Sequence, residues 1–146
     1  MYKSNLFDEK TFYQAFVTDL ERCQAEVIIE SPFITTERMG ILWPIFKKLA
    51  RRGVEVYIMT RDPSEHSQTY ANQSEAEIRR FEEVGIQTLV CTGNHHRKLA
   101  IIDRNILWEG SLNILSQIKS REFMRRLEGG GFAVDLFNFI GYDKFL

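Results

Sequence analysis

Phe12, Phe16, Leu20 and Cys23 recur every three or four residues, so "DEKTFYQAFVTDLERC" presents one apolar face and predicts a helix. That period is lost in "AEVIIES", a short β-branched run ended by Ser31-Pro32, which predicts a buried strand. Helical spacing returns in "TERMGILWPIFKKLARRG", with Thr36 as N-cap and Gly53 as the stop. Pro44 inside it demands either a kink or a main helix that starts near Trp43 with proline in its first turn. "VEVYIMT" predicts a second buried strand, and the polar, turn-rich "RDPSEHSQTYANQ" a surface loop. In "SEAEIRRFEEVG", Ser74 and Glu77 stand in capping-box register ahead of Gly85, and "IQTLVC" follows as a strand.

This strand-helix-strand-helix-strand order implies parallel pairing. The pattern then changes. "HRKLAIID" and "ILWEGS" flank Asp103-Arg104-Asn105, a good hairpin connection, and "REFMRRLE" can add another strand. Ala133, Leu136, Phe137 and Ile140 share a helical face behind "EGGG". The expected fold class is therefore α/β, a mixed and largely parallel sheet flanked by helices on both faces.

Composition narrows this picture only a little. At 146 residues, 44% hydrophobic and 27% charged, the chain is expected to be a single domain over residues 1–146 with its own core. The net charge of -1 means that any polyanion site must come from local clustering. Cys23 and Cys91 stand alone, which suits reduced thiols and offers no zinc-ligand spacing. "MYKSNLFDEK" lacks the apolar stretch of a secretory signal, and no apolar run approaches the roughly 20 residues needed to cross a bilayer. The expectation is a cytoplasmic protein without membrane contact.

Candidate chemistry is concentrated in residues 94–113, "NHHRKLAIIDRNILWEGSLN". On an extended chain, residues two apart share a face, so His96 and Lys98 point one way and Arg97 and Leu99 the other. A hairpin would carry Ser111 and Asn113 toward them. An imidazole, an ammonium, a hydroxyl and a carboxamide gathered together suit a tetrahedral anion.

The run from His96 through Lys98 to Asp103, followed by Gly110-Ser111-Leu112-Asn113, resembles the HxKxxxxD and GSxN motifs of the phospholipase D superfamily. The resemblance spans residues 25–128 in element order and is sharpest over 94–124. Only His96 has lysine two positions on, so His95 is the bystander. What the resemblance implies is a phospholipase D-like fold and phosphodiester cleavage through a covalent phosphohistidine, with no metal or other cofactor. A neutral imidazole attacks phosphorus while an acid on the opposite side protonates the departing oxygen. One histidine cannot stand on both sides. The family carries the motif twice, this chain carries it once, and His66 is followed by Gln68 where a second copy needs lysine. The resemblance thus implies a homodimer with one His96 as nucleophile and the other as acid, titrating as a coupled pair.

By the same resemblance the catalytic set is His96, Lys98, Asp103, Ser111, Asn113 and Glu122. Lys98 and Asn113 hold the phosphate oxygens and Ser111 supports them. Glu122 orients the histidine, a role for which Glu109 and Glu128 are also near in sequence, and Asp103 organises the hairpin. Single-motif chains of this size resemble the family's small bacterial endonucleases, so DNA is the expected substrate, with Lys119 and Arg121 as candidate nucleic-acid contacts. Similar domains also occur beside helicase-like modules, which leaves open a longer protein with such a partner. Two alternatives remain: a phospholipid-hydrolysing or transphosphatidylating enzyme, and a non-catalytic nucleic-acid-binding domain. Lys47, Lys48, Arg51 and Arg52 sit at a helix end and are explained by its dipole. Trp43 and Trp108 are expected in the core or a dimer contact.

Overall fold

In the computed structural model, which describes residues 1–117 and 119–146, the apolar runs pair into one sheet. Among the described residues its strands are β1 (Tyr2–Asp8), β2 (Glu26–Glu30), β3 (Glu55–Arg61), β4 (Gln87–Cys91), β5 (Leu99–Ile102), β6 (Ile106–Gly110) and β7 (Phe123–Gly129), in the order β1-β7-β6-β5-β2-β3-β4. β2, β3 and β4 are parallel, joined by helices α2 (Thr36–Arg51) and α3 (Gln68–Glu83). Every other pairing is antiparallel. The sheet is mixed, as expected, but its parallel part ends at those three strands. β6 follows β5 too closely for a crossover, and a tight turn can join only antiparallel neighbours.

Helices α1 (Phe12–Arg22), α2 and α3 cover one face, where Phe12, Phe16, Ile29, Phe46 and Trp108 are fully buried. Helix α4 (Phe132–Ile140) covers the other, its Phe137 in one cluster with Ile28, Ile101 and Tyr142. Both tryptophans belong to the first core: Trp43 Nε1 donates to Glu77 at 3.0 Å and Trp108 Nε1 to Asp19 at 2.8 Å.

Three local expectations need correction. α3 starts at Gln68, so part of the expected loop is helical, and Ser74 and Glu77 lie buried within it rather than capping it. Their burial against α2, with Glu77 accepting from Trp43, outweighs a local capping pattern. The N-cap of α2 is Thr35, not Thr36, whose backbone N–H is met by Gln73 Oε1 at 2.9 Å. α2 also runs unbroken through Pro44 and does not start at Trp43. Proline there costs about 3 kcal/mol, and the burial of Met39, Leu42, Trp43, Phe46 and Leu49 along one face offsets it. The pattern predicts no element for the N-terminus, yet β1 forms along the edge of β7. Its side chains are almost all exposed, so only the partner strand specifies it.

The antiparallel half sets up a site. Leu99 pairs with Glu109, and Gly110 pairs with Met124, so the start of β5, the end of β6 and the start of β7 lie at one end of the sheet. Gly110 permits this closeness: a Cβ there would lie 2.2 Å from the Phe123 carbonyl oxygen. Gly110→Ala must push β6 and β7 apart. We expect a loss of about 1–3 kcal/mol, the range for forced overpacking, read as a lower urea midpoint.

Candidate active site

His96 and Lys98 lie in the extended segment that leads into β5, just outside the strand itself. The Lys98 ammonium is 2.8 Å from His96 Nδ1 and donates to the His96 carbonyl at 2.9 Å. Their alternate neighbours are anchored on Glu30, the last residue of β2, which is fully buried. Arg97 Nε donates to Glu30 Oε1 at 3.0 Å, and His95 Nε2 lies 2.6 Å from the same oxygen. The Tyr142 hydroxyl, just beyond α4, donates to Oε2. Burial pushes the Glu30 carboxyl up, but hydrogen bonds from His95, Tyr142 and Arg97 outweigh it and hold the group below the usual range. With 95 and 97 fixed on Glu30, the chain's alternation leaves 96 and 98 for the other side. His95, expected to be the bystander, is an anchor for the segment. Glu30 and Tyr142 were not singled out from the sequence; the available signal was an acid closing the apolar run "EVIIE".

The opposite half of the site is the turn after β6. Ser111 lengthens the β6–β7 ladder: its N–H donates to Phe123 O at 3.0 Å and its Oγ accepts from Phe123 N–H at 3.1 Å. The turn that carries Asn113 is then fixed from three elements. The Tyr13 hydroxyl of α1 donates to Ile114 O at 2.6 Å. Ser31 Oγ, directly after β2, accepts from Leu115 N–H at 3.1 Å. Thr35 donates its N–H to Leu115 O at 3.0 Å and accepts from Gln117 N–H at 2.8 Å.

Glu122 precedes β7 at this same end. Its backbone N–H donates to Glu9 Oε1 at 2.9 Å, and its carboxylate accepts from Ser120 Oγ at 2.9 Å. Among the described residues it makes no hydrogen bond to His96, so the expected orienting contact is not formed. Lys98 occupies His96 Nδ1 instead. Asp103 stands apart from the set, at the far end of β5, roughly 20 Å of extended chain from His96. Its carboxylate accepts from the N–H groups of Gln24, Ala25 and Glu26 at 3.0, 2.8 and 3.1 Å, which ties the hairpin turn to the start of β2. Asp103 therefore touches no reacting atom in its own chain. It also faces Cys23, whose thiol is pushed up to about 12 by burial and by that carboxylate. His66 stacks on Phe33 at 4.6 Å and its Nε2 meets Pro32 O at 3.0 Å, a packing role. Lys119 and Arg121 are exposed on the rim of a cleft of about 410 Å³ that Asn113 and Glu122 also line.

Electrostatics favour one protonation state. Burial pushes the His96 imidazole down, and the charges of Lys98, Arg61 and His95 push it further, so the ring is neutral near pH 7. Burial also lowers the Lys98 ammonium, against the pull of the Glu122 carboxylate. A neutral imidazole beside a cation can attack a phosphoryl group.

A family model described as "Cardiolipin synthase, PLD-like domain" matches residues 16–124, three quarters of the chain. The chain belongs to the phospholipase D-like family. No curated protein sequence matches it. Among solved structures, this phospholipase D-like chain is similar to a phospholipase D family member, Nuc from Salmonella typhimurium, with a TM-score of 0.76 at 14% identity over 94% of this chain and 91% of the other. NucT from Helicobacter pylori matches with a TM-score of 0.71 at 20% identity, over 99% and 95% of the two chains. Phosphatidylserine synthase from Haemophilus influenzae Rd KW20 matches at 0.67 and 14% identity, over 93% of this chain but 37% of its own. These likenesses fix the phospholipase D-like fold.

Glu30→Ala removes the shared acceptor of Arg97, His95 and Tyr142. Arg97 is half exposed and can turn to water, so the expected cost is that of leaving buried donors unmet, about 1–3 kcal/mol, measured by urea unfolding. The carboxyl titrates lower when folded than its ordinary 4.5. Wild type should therefore keep its full advantage above that pH and lose it as the pH falls through the lowered value.

Proposed function

We propose that this phospholipase D-like chain is a metal-independent phosphodiesterase acting on nucleic acid, DNA first, with an active site completed by a second copy of itself. What supports this reading is the meeting of three strand ends at one end of the sheet, the end at which the segment with His96 and Lys98 enters β5 and the turn with Asn113 leaves β6.

Lys98 has a double role in this scheme. While it donates to His96 Nδ1, a neutral ring must carry its proton on Nε2. When a phosphate enters, Lys98 turns to a non-bridging oxygen, Nδ1 takes the proton, and the Nε2 lone pair is free. Nε2 then bonds to phosphorus as the P–O bond to the leaving group breaks. The imidazolium of the second copy's His96 gives its proton to that oxygen. In the second step water attacks the phosphohistidine, the now neutral second imidazole takes the proton of the water, and the P–N bond breaks. Asn113 and Lys98 hold the oxygens throughout, and the lysine charge does the neutralising.

The second reading is a lipid phosphodiester substrate, favoured by the family model's description and by the likeness to phosphatidylserine synthase. Among the described residues, no helix is long and apolar enough to cross a membrane. A helicase-like partner in a longer protein fits either reading.

Supercoiled plasmid in EDTA should be nicked by wild type and not by His96→Ala, with a fall of about 10³-fold or more. Mass spectrometry of quenched reactions should find a phosphoryl adduct on His96. Intact wild type that leaves plasmid untouched from pH 5 to 8, while releasing head group from liposomes, would move the assignment to lipid.

The pH profile is a separate check. Two imidazoles that share one proton give a bell-shaped kcat/KM. Because His96 lies below its ordinary 6.5, the maximum should fall on the acid side of pH 6.5. An alkaline maximum would contradict this pairing.

A further inference from the structure

We infer that the cleft beside Asn113 binds the phosphate next to the scissile one in a nucleic-acid strand, with Arg38 as its main contact. This rests on the nucleic-acid phosphodiesterase reading and extends it to residues outside the motif.

The cleft, about 410 Å³, opens on Asn113 and Glu122 and runs past Tyr13, Arg38, Ser116 and Gln117. Three cations line it, Arg38, Lys119 and Arg121, in a chain whose net charge is -1. Of its two acids, Glu9 is already engaged by the backbone N–H of Glu122, and Glu122 by Ser120. Three cations against these two carboxylates leave the cleft with a small excess of positive charge on a chain that is not basic.

Arg38 is built to receive an anion. Its guanidinium lies 3.5 Å over the Tyr13 ring, and Nη2 donates to the Gln117 carboxamide. Among the described residues no carboxylate pairs with it. A ring and a neutral amide fix the fork in place and leave its charge unneutralised, which suits a phosphate better than a mobile surface arginine would. Tyr13 also donates to Ile114 O, so the residue that supports Arg38 is the one that holds the Asn113 turn.

The same wall has unmet hydrogen-bonding capacity. Arg38 Nε, Ser116 Oγ and Asn113 Oδ1 are removed from water and have no protein partner among the described residues. Ser116 as a whole is 4% exposed. Of six such atoms among the described residues, three gather on this one cleft wall, and that clustering is what a bound group would satisfy. Arg38 Nε–H and the Ser116 hydroxyl both donate, as phosphate oxygens require. Asn113 offers a donor or an acceptor there, depending on how its carboxamide is turned. A phosphate flanking the one bound at His96 meets these demands and belongs to a polynucleotide. A phospholipid with a single phosphodiester has no such group.

The test compares a substrate that has flanking phosphates with one that has none. We would measure kcat/KM in EDTA on a single-stranded oligonucleotide and on bis(p-nitrophenyl) phosphate, for wild type and Arg38→Gln, with folding followed by thermal melts. The oligonucleotide-to-diester ratio should fall about tenfold in the variant, and the log–log salt dependence for the oligonucleotide should flatten by about 0.7. A ratio and a slope that match wild type would overturn the cleft assignment alone. Wild type that cleaves the diester but not the oligonucleotide would also overturn it, with a lipid substrate as the next candidate. Wild type inactive on both would defeat the parent reading. If Arg38→Gln does not fold, Lys119→Ala takes its place: a lower ratio with a flatter slope supports the cleft, and two unchanged numbers overturn it.

Discussion

A carboxylate buried at the end of β2, inside the sheet, is the constraint from which the candidate site follows. Glu30 and Ser31 are adjacent, and at the end of an extended strand adjacent side chains leave on opposite faces. Glu30 turns toward the α4 face and gathers His95, Arg97 and Tyr142. Ser31 meets the Leu115 N–H and so secures the turn that carries Asn113. One dipeptide therefore holds both the segment that carries His96 and Lys98 and the turn that carries Asn113. Burying an unpaired carboxylate would be costly, and the three donors around Glu30 offset that cost. The same three bonds remove the freedom of the segment before β5, which is the kind of support a reacting imidazole needs.

The two kinds of strand pairing divide the work. The parallel strands β2, β3 and β4, with α2 and α3, make the packed base on which β2 is held rigid. The antiparallel strands reverse the chain twice and return it to the same end of the sheet, which places residues far apart in sequence beside each other. Asp103 serves the opposite end: three backbone donors from the start of β2 hold its turn. The hairpin is thereby tied to β2 at both ends, by Asp103 at one and by Glu30 at the other. Gly110 matters for a related reason, since β6 and β7 approach so closely there that a side chain has no room.

Charge is arranged locally rather than globally. The chain is close to neutral, and most cations lie on helix surfaces or in ion pairs such as Arg126 with Asp19 at 2.8 Å. Around the site, Lys98, and Arg61 within its pair with Glu65, are near enough to His96 to disfavour its protonation. Burial first, and then those cations, keep the ring neutral, the form that can act as a nucleophile.

The sequence by itself determined the strand and helix order, the mixed α/β class, the hairpin at Asp103-Arg104-Asn105 and the family motif from His96 to Asn113. Each is a short-range pattern, carried by periodicity or by spacing within twenty residues. Only the tertiary structure decided where α3 begins, that Pro44 lies inside α2, that β1 pairs at all, and that Glu122 faces Ser120 instead of His96. It also decided that Glu30, Ser31, Tyr13 and Thr35 hold the site, although they lie more than sixty residues from the atoms they fix. The physical reason is common to all of these. A buried hydrogen bond or an apolar contact between distant segments leaves no period along the chain, and its strength comes from exclusion of water, which exists only once the sheet and helices have closed over it.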